Sequence, residues 1–277
     1  MVRLVKGIDC AVPLTLEKAR AFRAAGYEFA ARYLVPERYA WKRLTRAEAE
    51  AITAAGMQIV SVYETTANRP AGGAAAGVDD GAEALKEAKE IGQPEGSAIY
   101  FAVDYDAQPK DYNAIEAYLR AAASNIPGYR VGVYGSFSVV EEMARRIPGI
   151  HVWQTYAWSR GKRSEHANLY QYQNNVTVAG HIVDLNESFG GEGWWNTRQA
   201  EKNAEMPEEK MEESPKEHKG ENPKMKPEDA EKIIRFLSAA WFATESKEAR
   251  DEFHRLANEI RKAAGISTAQ ISDRLGK

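Results

Sequence analysis

The 277-residue chain has a single cysteine, Cys10, so it has neither an intramolecular disulfide nor a cysteine-based metal site. Its five histidines show no His-Glu-x-x-His motif and no other paired spacing of metal ligands. No apolar run approaches the length needed to cross a membrane. No glycine-rich phosphate-binding motif follows a strand-like segment, which excludes the main nucleotide-binding classes.

The charge balance and the N-terminus bear on partners and compartment. A net charge of −3 gives no hint of nucleic acid or a membrane surface as a partner. Residues 1–9 are too short and too charged for a signal peptide. We therefore expect a soluble product, made in the cytoplasm without a signal peptide, that needs another route if it acts outside the cell.

A polar segment divides the chain. From residue 196 to residue 232 there is no Ile, Leu, Val, Phe, Tyr or Trp. Such a segment cannot bury enough apolar surface to offset chain entropy, and its four prolines oppose one continuous helix. The sequence therefore predicts a barrel-forming domain at residues 1–197, a charged Pro-containing linker at 198–227 and a small helical domain at 228–277.

Strand-like and helix-like segments alternate before this linker. Helices are predicted after the first five strands and are missing after the sixth and seventh, and residues 72–77, rich in glycine, are predicted to form a flexible loop. The rhythm predicts an α/β fold with a parallel sheet, either an open doubly wound sheet or a (β/α)8 TIM-barrel-like fold with some helices missing. A count of eight strands favours the barrel, with strands at residues 4–9, 27–34, 57–63, 98–103, 130–134, 150–154, 169–173 and 182–185.

Several helix starts are predicted from capping residues, the first of them at Thr15. Thr45 and Glu48 have the spacing of a capping box, and Ser138 precedes a helix in the same way. After the linker, apolar residues at helical spacing predict amphipathic helices over residues 233–241 and 253–260 and a short third helix over 267–275. Trp241 and Phe242 are predicted to be core or dimer-interface residues of this all-α domain.

The fourth strand ends in two acids, Asp104 and Asp106. In an extended backbone, residues two apart project to the same side, so the pair is predicted to share one face. Neighbouring carboxyls raise each other's pKa, which proteins tolerate mostly where a proton has to be handled. An alternative interpretation is that the pair only caps a helix or starts a turn.

Other strands of the predicted barrel also end in acids. Active sites of such barrels lie at the carboxyl ends of the strands, and no basic residue occupies the same positions here. Acids among aromatic residues suit carbohydrate hydrolysis, in which carboxyls transfer protons and aromatic faces stack on sugar rings. The predicted catalytic set is Asp9, Glu64, Asp104, Asp106 and Asp184, and the predicted substrate-binding set is Tyr33, Tyr63, Tyr134, Trp153, Gln154, Gln171 and Tyr172.

Several of these segments resemble a known family. Gly7-Ile8-Asp9, Val103-Asp104-Tyr105-Asp106, Leu169-Tyr170-Gln171-Tyr172 and the run from Gly180 to Asn186 resemble family 25 glycoside hydrolases, which are lysozymes, and resemble still more their Rv2525c-like relatives. The resemblance covers about residues 4–195. It implies a helix-poor barrel with an antiparallel last strand. It also implies that the substrate is peptidoglycan, cut between N-acetylmuramic acid and N-acetylglucosamine, with no cofactor and no metal.

The resemblance also implies residue roles. Asp106 stands where the lysozymes have a glutamate proton donor, and aspartate is shorter by one methylene. We expect Asp106 to be the general acid, Asp104 its nucleophilic or electrostatic partner, and Glu64 the reserve acid. Misplacement of a catalytic group by an ångström can cost on the order of 10²-fold in rate. Two functions therefore stay open, an active muramidase-type endolysin and a catalytically inactive barrel that binds glycan.

In the C-terminal domain, the run from Phe236 to Trp241 and the later run from Arg255 to Ala263 resemble, more weakly, the small helical modules of phage and prophage endolysins. This likeness implies binding to the cell wall or spore surface, and a homodimer through the module is a further expectation. A bacteriophage enzyme without a signal peptide would reach the wall through a holin or after cell lysis. A metal-dependent hydrolase is disfavoured, because no histidine lies at the strand ends that carry the acids.

Overall fold

The computed structural model describes residues 4–198, 230, 233–234, 255–262 and 264–265. Contacts within the chain divide it into two units, Met1–Glu209 and Lys210–Lys277. None of the helices in the described residues is both long and apolar enough to cross a membrane.

Eight strands of the first unit form a closed barrel in which each strand pairs with its neighbours in sequence. The first seven strands run parallel, and the eighth pairs antiparallel with both the seventh and the first. The predicted TIM-barrel-like fold and the antiparallel last strand are therefore confirmed. The strands are β1 (Val5–Asp9), β2 (Phe29–Tyr33), β3 (Gln58–Tyr63), β4 (Ala98–Ala102), β5 (Arg130–Gly135), β6 (His151–Thr155), β7 (Leu169–Val178) and β8 (His181–Ser188).

Helices follow β1 to β5, and within residues 4–198 none follows β6 or β7, as the sequence predicted. Three begin at hydroxyl caps, because the side chains of Thr15, Thr45 and Ser136 accept a backbone N–H of the first turn. The predicted cap Ser138 is wrong, since it lies inside the helix that Ser136 caps. The helices are α1 (Leu16–Ala24), α2 (Arg46–Ala54), α3 (Gly73–Ile91), α4 (Tyr112–Ser124) and α5 (Phe137–Arg146).

The glycine-rich run is the start of a helix and not the predicted flexible loop. Helix α3 begins at Gly73, and Gly77 lies on the face that packs against α4. A β-carbon at Gly77 would lie 2.2 Å from the carbonyl oxygen of Tyr118, and one at Gly81 would lie 2.8 Å from that of Ala122. These glycines therefore allow the two helix backbones to approach closely.

The predicted capping box at the start of α2 is only half formed. Thr45 accepts the backbone N–H of Glu48 at 3.2 Å. The Glu48 carboxylate does not return to the Thr45 backbone; it accepts hydrogen bonds from Leu14 N at 2.8 Å and from Arg32 Nε at 2.6 Å. The buried Arg32 thus binds the Glu48 carboxylate that would otherwise accept the backbone N–H of Thr45.

Large aromatic side chains fill the barrel interior below its mouth. Phe29, Tyr100 and Trp153 are buried in an inner cluster that is separate from the core between barrel and helices. Gly7 and Gly132 leave room for this layer, because a β-carbon at either would lie within 2.5 Å of an aromatic ring. This aromatic layer fills the middle of the barrel, so the cleft lies above it, at the carboxyl ends of the strands.

The second unit is described only in part. Residues 255–262 are helical, with Ala257 buried, and Gly265 adopts a φ of +66°, in agreement with the predicted helix end. Several predictions for this region lie outside the described residues. They concern most of the linker at 198–227, most of the predicted helix over 233–241 with Trp241 and Phe242, and the predicted helix over 267–275. The domain boundaries therefore stay a prediction.

Candidate functional site

An open cleft of about 460 Å³ lies at the carboxyl ends of the strands. This is the end of the barrel that the sequence indicated, because the loops after parallel strands meet there. Four of the five predicted catalytic acids and four of the seven predicted substrate-binding residues line it. The lining residues are Asp9, Tyr33, Val62, Glu64, Ala102, Asp104, Tyr134, Trp153, Gln171, Asn174 and Asp184.

One amide group links two of these acids. Gln171 Nε2 donates to Asp9 Oδ2 at 2.9 Å and to Asp184 Oδ2 at 3.3 Å. Gln171 Oε1 accepts the hydroxyls of Tyr134 at 2.9 Å and Thr155 at 2.8 Å. With two acceptors facing its nitrogen and two donors facing its oxygen, the orientation of the Gln171 amide is fixed.

A second amide completes the surroundings of Asp9. Asn186 Nδ2 donates to Asp9 Oδ2 at 2.7 Å, and Asn186 Oδ1 accepts Trp153 Nε1 at 2.9 Å. Burial, together with the nearby Asp184 carboxylate, raises the pKa of Asp9 from 3.8 to about 7 although both amides oppose the rise. Asp9 can therefore hold a proton near neutral pH. Burial also raises the pKa of Asp184.

The other two acids, Glu64 and Asp104, lie near the ammonium group of Lys42, which packs against the cleft residue Tyr33. Lys42 Nζ lies 4.4 Å from the ring centroid of Tyr33, a cation–π contact. Burial raises the pKa of Glu64 and of Asp104, and the Lys42 ammonium opposes that rise. Burial lowers the pKa of Lys42, and the two carboxylates oppose this in turn. On this side of the cleft a lysine thus limits the rise in carboxyl pKa, whereas the Asp184 carboxylate adds to the rise in the pKa of Asp9.

A buried ion pair positions Lys42. The fully buried Arg32 side chain binds Glu48 and donates to the carbonyl oxygens of Cys10 and, at 3.2 Å, Lys42. Arg32 therefore ties the loops after β1 and β2 together below the cleft. The loop that contains Lys42 takes its path from these contacts.

The structure does not bring Asp106 into the cleft. Strand β4 ends at Ala102, the chain bends at Tyr105, and Ala107 N donates to Tyr105 O at 2.8 Å. This tight turn interrupts the extended backbone, so Asp104 lines the cleft and Asp106 is exposed outside it. The expectation that the two acids share one face is wrong.

Three predicted substrate-binding residues also point away from the cleft. Side chains alternate along a strand, and the neighbours Val62, Trp153 and Gln171 are the ones that face inward. Tyr63 instead donates to Glu83 at 2.9 Å, and Tyr172 packs against the outer core. The buried Gln154 side chain donates to Lys162 O at 2.8 Å and accepts Ser164 N at 2.7 Å, so it holds the loop after β6.

Sequence reasoning missed four residues of the site. Lys42 and Arg32 belong to loop-closing contacts that leave no local pattern. Asn174 lines the cleft beyond the predicted end of the seventh strand, and its Oδ1 atom is buried without a hydrogen-bond partner. Asn186 lies in the Asp184-Leu185-Asn186 motif but was not selected; its place two residues from Asp184, on the same face of a strand, was the available signal.

The arrangement combines four carboxyl groups, one of them with a pKa raised to about 7, with a nearby lysine and aromatic walls. These are the groups that acid–base cleavage of a glycosidic bond requires. In the part of the chain that the structure describes, no group of three or more His, Cys, Asp or Glu side chains is arranged to hold a metal ion.

Comparisons with known proteins also indicate a glycoside hydrolase-like domain. A sequence model of the Rv2525c-like, glycoside hydrolase-like domain matches residues 20–188. Rv2525c of Mycobacterium tuberculosis, described as a proposed peptidoglycan hydrolase, is 31% identical over 181 residues, which are 61% of this chain and 75% of that protein. The uncharacterized protein FadG of Bacillus subtilis is 35% identical over 118 residues, 39% of this chain, and this chain spans only 20% of FadG.

A solved structure shows the same barrel. The crystal structure of the Tat-secreted protein Rv2525c in complex with L-tartrate superposes with a TM-score of 0.64 at 28% identity, covering 70% of this chain and 100% of that one. The resemblance that the strand-end motifs indicated is confirmed. The expectation of a cytoplasmic product released by a holin or by lysis is wrong, because a Tat-secreted relative points to export. That expectation rested on residues 1–9 and on the likeness of residues 228–277 to endolysin modules.

Proposed function

Because the chain belongs to the Rv2525c-like, glycoside hydrolase-like family, we propose that it hydrolyses the glycan strand of bacterial peptidoglycan by carboxylate acid–base catalysis. The name of its mycobacterial relative supports this substrate, and the acidic, aromatic-walled cleft supports this chemistry. The bond between N-acetylmuramic acid and N-acetylglucosamine is the proposed target.

The observation that carries the proposal is the position of Asp9, buried in the cleft directly opposite Asp184. A general acid works best when its pKa lies near the working pH, and burial beside Asp184 raises the pKa of Asp9 to about 7. The two amides of Gln171 and Asn186 bind one carboxylate oxygen of Asp9, Oδ2, and hold the group in place. The other oxygen carries no hydrogen bond within the described residues.

The roles follow from this division of the cleft. Asp9 donates its proton to the glycosidic oxygen, so that the bond from that oxygen to the anomeric carbon breaks and the alcohol leaves. Asp104 and Glu64, whose ionised forms the Lys42 ammonium favours against burial, stabilise the oxocarbenium-like centre and direct water to it. The water oxygen bonds to the anomeric carbon, its proton passes to a carboxylate, and new reducing ends result. Asp106 takes no part in this scheme.

A second function is favoured by the position of Asp106. The family lysozymes place their proton donor at this point of the fourth strand, and here the residue is exposed outside the cleft. A barrel that binds the glycan and does not cut it would need no donor there. This glycan-binding function is the alternative to hydrolysis.

One experiment separates the two functions. Purified peptidoglycan is incubated with the full chain, and both the new reducing ends and the masses of the released fragments are measured. We expect new reducing ends with wild type and none above background with Asp9→Asn. Co-sedimentation with peptidoglycan without new reducing ends would contradict hydrolysis and favour the binding function. The absence of both co-sedimentation and new reducing ends would contradict both functions.

The C-terminal residues 228–277 are proposed to bind the cell wall or spore surface or to form a homodimer. Comparing the full chain with residues 1–197 in a wall co-sedimentation assay tests the first, and analytical ultracentrifugation tests the second. Equal sedimentation of both forms with walls would contradict wall binding, and a monomeric full chain would contradict the dimer.

A further inference from the structure

Within the described residues, the exposed aromatic side chains are confined to one end of the barrel. Among the described residues, three aromatic side chains are exposed: Trp41 by 64%, and Tyr156 and Trp158 by 41% each. All three lie in loops after β2 and β6, at the carboxyl ends of the strands, where the cleft opens. Tyrosine and tryptophan rings at the mouth of a cleft suit ligand binding, because each offers a large apolar face and a polar edge.

Trp41 is connected to the cleft wall through Lys42. The Lys42 ammonium lies 4.4 Å from the ring centroid of Tyr33 and 5.5 Å from that of Trp41. Tyr33 lines the cleft, so the Trp41 ring stands at its rim beside the same lysine. The Arg32 contacts below hold this loop in place.

Trp158 stands at the rim in a strained backbone conformation. Its φ is +55°, a region that bulky residues rarely adopt and that persists only where the surroundings enforce it. The enforcing contacts are present: Tyr156 N donates to Gln171 O at 2.9 Å, and Ser159 Oγ donates to Thr155 O at 2.5 Å. The loop thus keeps a large apolar ring at the surface beside the Gln171 network.

The two loops lie on opposite sides of the mouth. In a closed barrel of eight strands that pair in sequence order, β2 and β6 are four strands apart in either direction. Strands about 4.8 Å apart and tilted by about 36° give a circular barrel a backbone diameter of about 15 Å. A single sugar ring cannot bridge that span, whereas an oligosaccharide can.

We propose that Trp41 and Trp158 are stacking platforms for sugar rings at the two ends of an extended glycan, with Tyr156 adjoining Trp158. The inference rests on the proposed function for the chemistry of this ligand. Aromatic rings offer large rigid surfaces to the apolar face of a sugar at a low cost in side-chain entropy. The four carboxyls between the platforms disfavour an acidic peptide along the same path. The cleft thus selects glycan strands by length.

Binding of glycans of defined length tests this inference. Soluble disaccharide, tetrasaccharide and hexasaccharide fragments of peptidoglycan glycan are titrated calorimetrically into the Asp104→Asn full chain, which separates binding from cleavage. We expect affinity to rise with length. In this background Trp41→Ala and Trp158→Gly should each weaken hexasaccharide binding by on the order of tenfold, equal to about 1.4 kcal/mol, and leave disaccharide binding nearly unchanged.

The second substitution is chosen so that it does not strain the fold. Glycine adopts a positive φ freely, so Trp158→Gly removes the ring without disturbing the turn. Trp158→Tyr keeps an aromatic face and should restore most of the affinity. Val78→Ala, on the exposed side of α3, should leave every affinity unchanged.

The outcomes separate this inference from the proposed function. Equal affinity for short and long fragments, or hexasaccharide affinity that is unchanged in both Trp variants, would overturn the platforms even if wild type releases reducing ends. Length-dependent binding that both Trp variants weaken would support the platforms even if wild type releases none.

Discussion

Asp9 and Asp184 lie directly opposite each other on the antiparallel strands β1 and β8, and the amide of Gln171 donates to both carboxyls. Like charges in directly opposite positions destabilise a strand pair, and burial increases the cost. A proton on Asp9 removes the repulsion, in agreement with its pKa of about 7. Protonation of the cleft is thus coupled to the stability of the barrel.

We expect Asp9→Asn to stabilise the protein above neutral pH. The pKa of Asp9 rises from 3.8 to about 7 on folding, so between these values the folded chain keeps a proton that the unfolded chain has released. The free energy of unfolding therefore falls as pH rises through this window, by up to about 4 kcal/mol. Asparagine is always neutral and avoids this loss.

Urea unfolding of wild type and Asp9→Asn across the pH range measures the effect. The stability difference should be small near pH 4 and largest near pH 8, with the variant the more stable. A difference that does not change with pH would contradict the coupling. The same variant should lose hydrolysis, because it has no proton to donate.

Asp104→Asn and Asp106→Asn form a matched pair two residues apart. Asp104 lines the cleft, and loss of its charge removes stabilisation of the reacting centre, so reducing-end release should fall by about 10²-fold or more. Asp106 is exposed beyond the turn, and its substitution should change the rate by less than about twofold. Both rates are measured on the same peptidoglycan preparation. Greater loss in Asp106→Asn than in Asp104→Asn would contradict the assignment.

The sequence predicted the barrel and most of the acids because both depend on local pattern. Apolar runs separated by helical segments define strands, and Asp9, Glu64 and Asp104 come at their ends or within two residues after them. Asp106 was misplaced because its predicted position assumed an extended backbone. The hydrogen bond from Ala107 N to Tyr105 O ends the extension, and nothing in the acid spacing reveals that turn.

Residues that act through distant contacts were not predictable in the same way. Lys42 reaches Tyr33 because Arg32 fixes its loop, and the partner of Arg32, Glu48, is also the residue at which the capping box failed. The capping-box motif therefore predicted the wrong partner for the Glu48 carboxylate, because that carboxylate pairs with the buried Arg32 instead. Tyr63 was misassigned for another reason, because alternation says that it opposes Val62 but not which of them faces inward.

Gly77→Ala should destabilise the protein although alanine favours helices. Its β-carbon would lie 2.2 Å from the backbone oxygen of Tyr118, so α3 and α4 must separate. Overpacking of this kind costs about 1–3 kcal/mol, more than the gain in helix propensity. Thermal or urea unfolding measures it.

The control for Gly77 is the reverse change at an exposed position of the same helix. Ala82→Gly should cost about 1 kcal/mol, because only helix propensity acts there. A gain in stability for Gly77→Ala would show that the helices do not pack as closely as described.

Arg32→Lys should destabilise the protein by about 3 kcal/mol. Lysine has one donor group where the guanidinium binds Glu48 and the carbonyls of Cys10 and Lys42, so buried acceptors would lose their partner. Arg38→Lys is the matched control, because Arg38 pairs with Glu83 at the surface, and a much smaller loss is expected there. Similar losses in urea unfolding for the two variants would contradict a structural role for the buried pair.

Lys42→Met should change the pH dependence of hydrolysis more than its maximum. The Lys42 ammonium opposes the rise in pKa that burial gives Glu64 and Asp104, so its removal raises both pKa values. Because these acids must be ionised, the acidic limb of a plot of log kcat/KM against pH should move to higher pH. Lys162→Met is the control, since Lys162 stacks on Phe137 instead of a cleft residue and should leave the limb in place. A uniform loss at every pH in Lys42→Met would instead mean that Lys42 only packs against Tyr33.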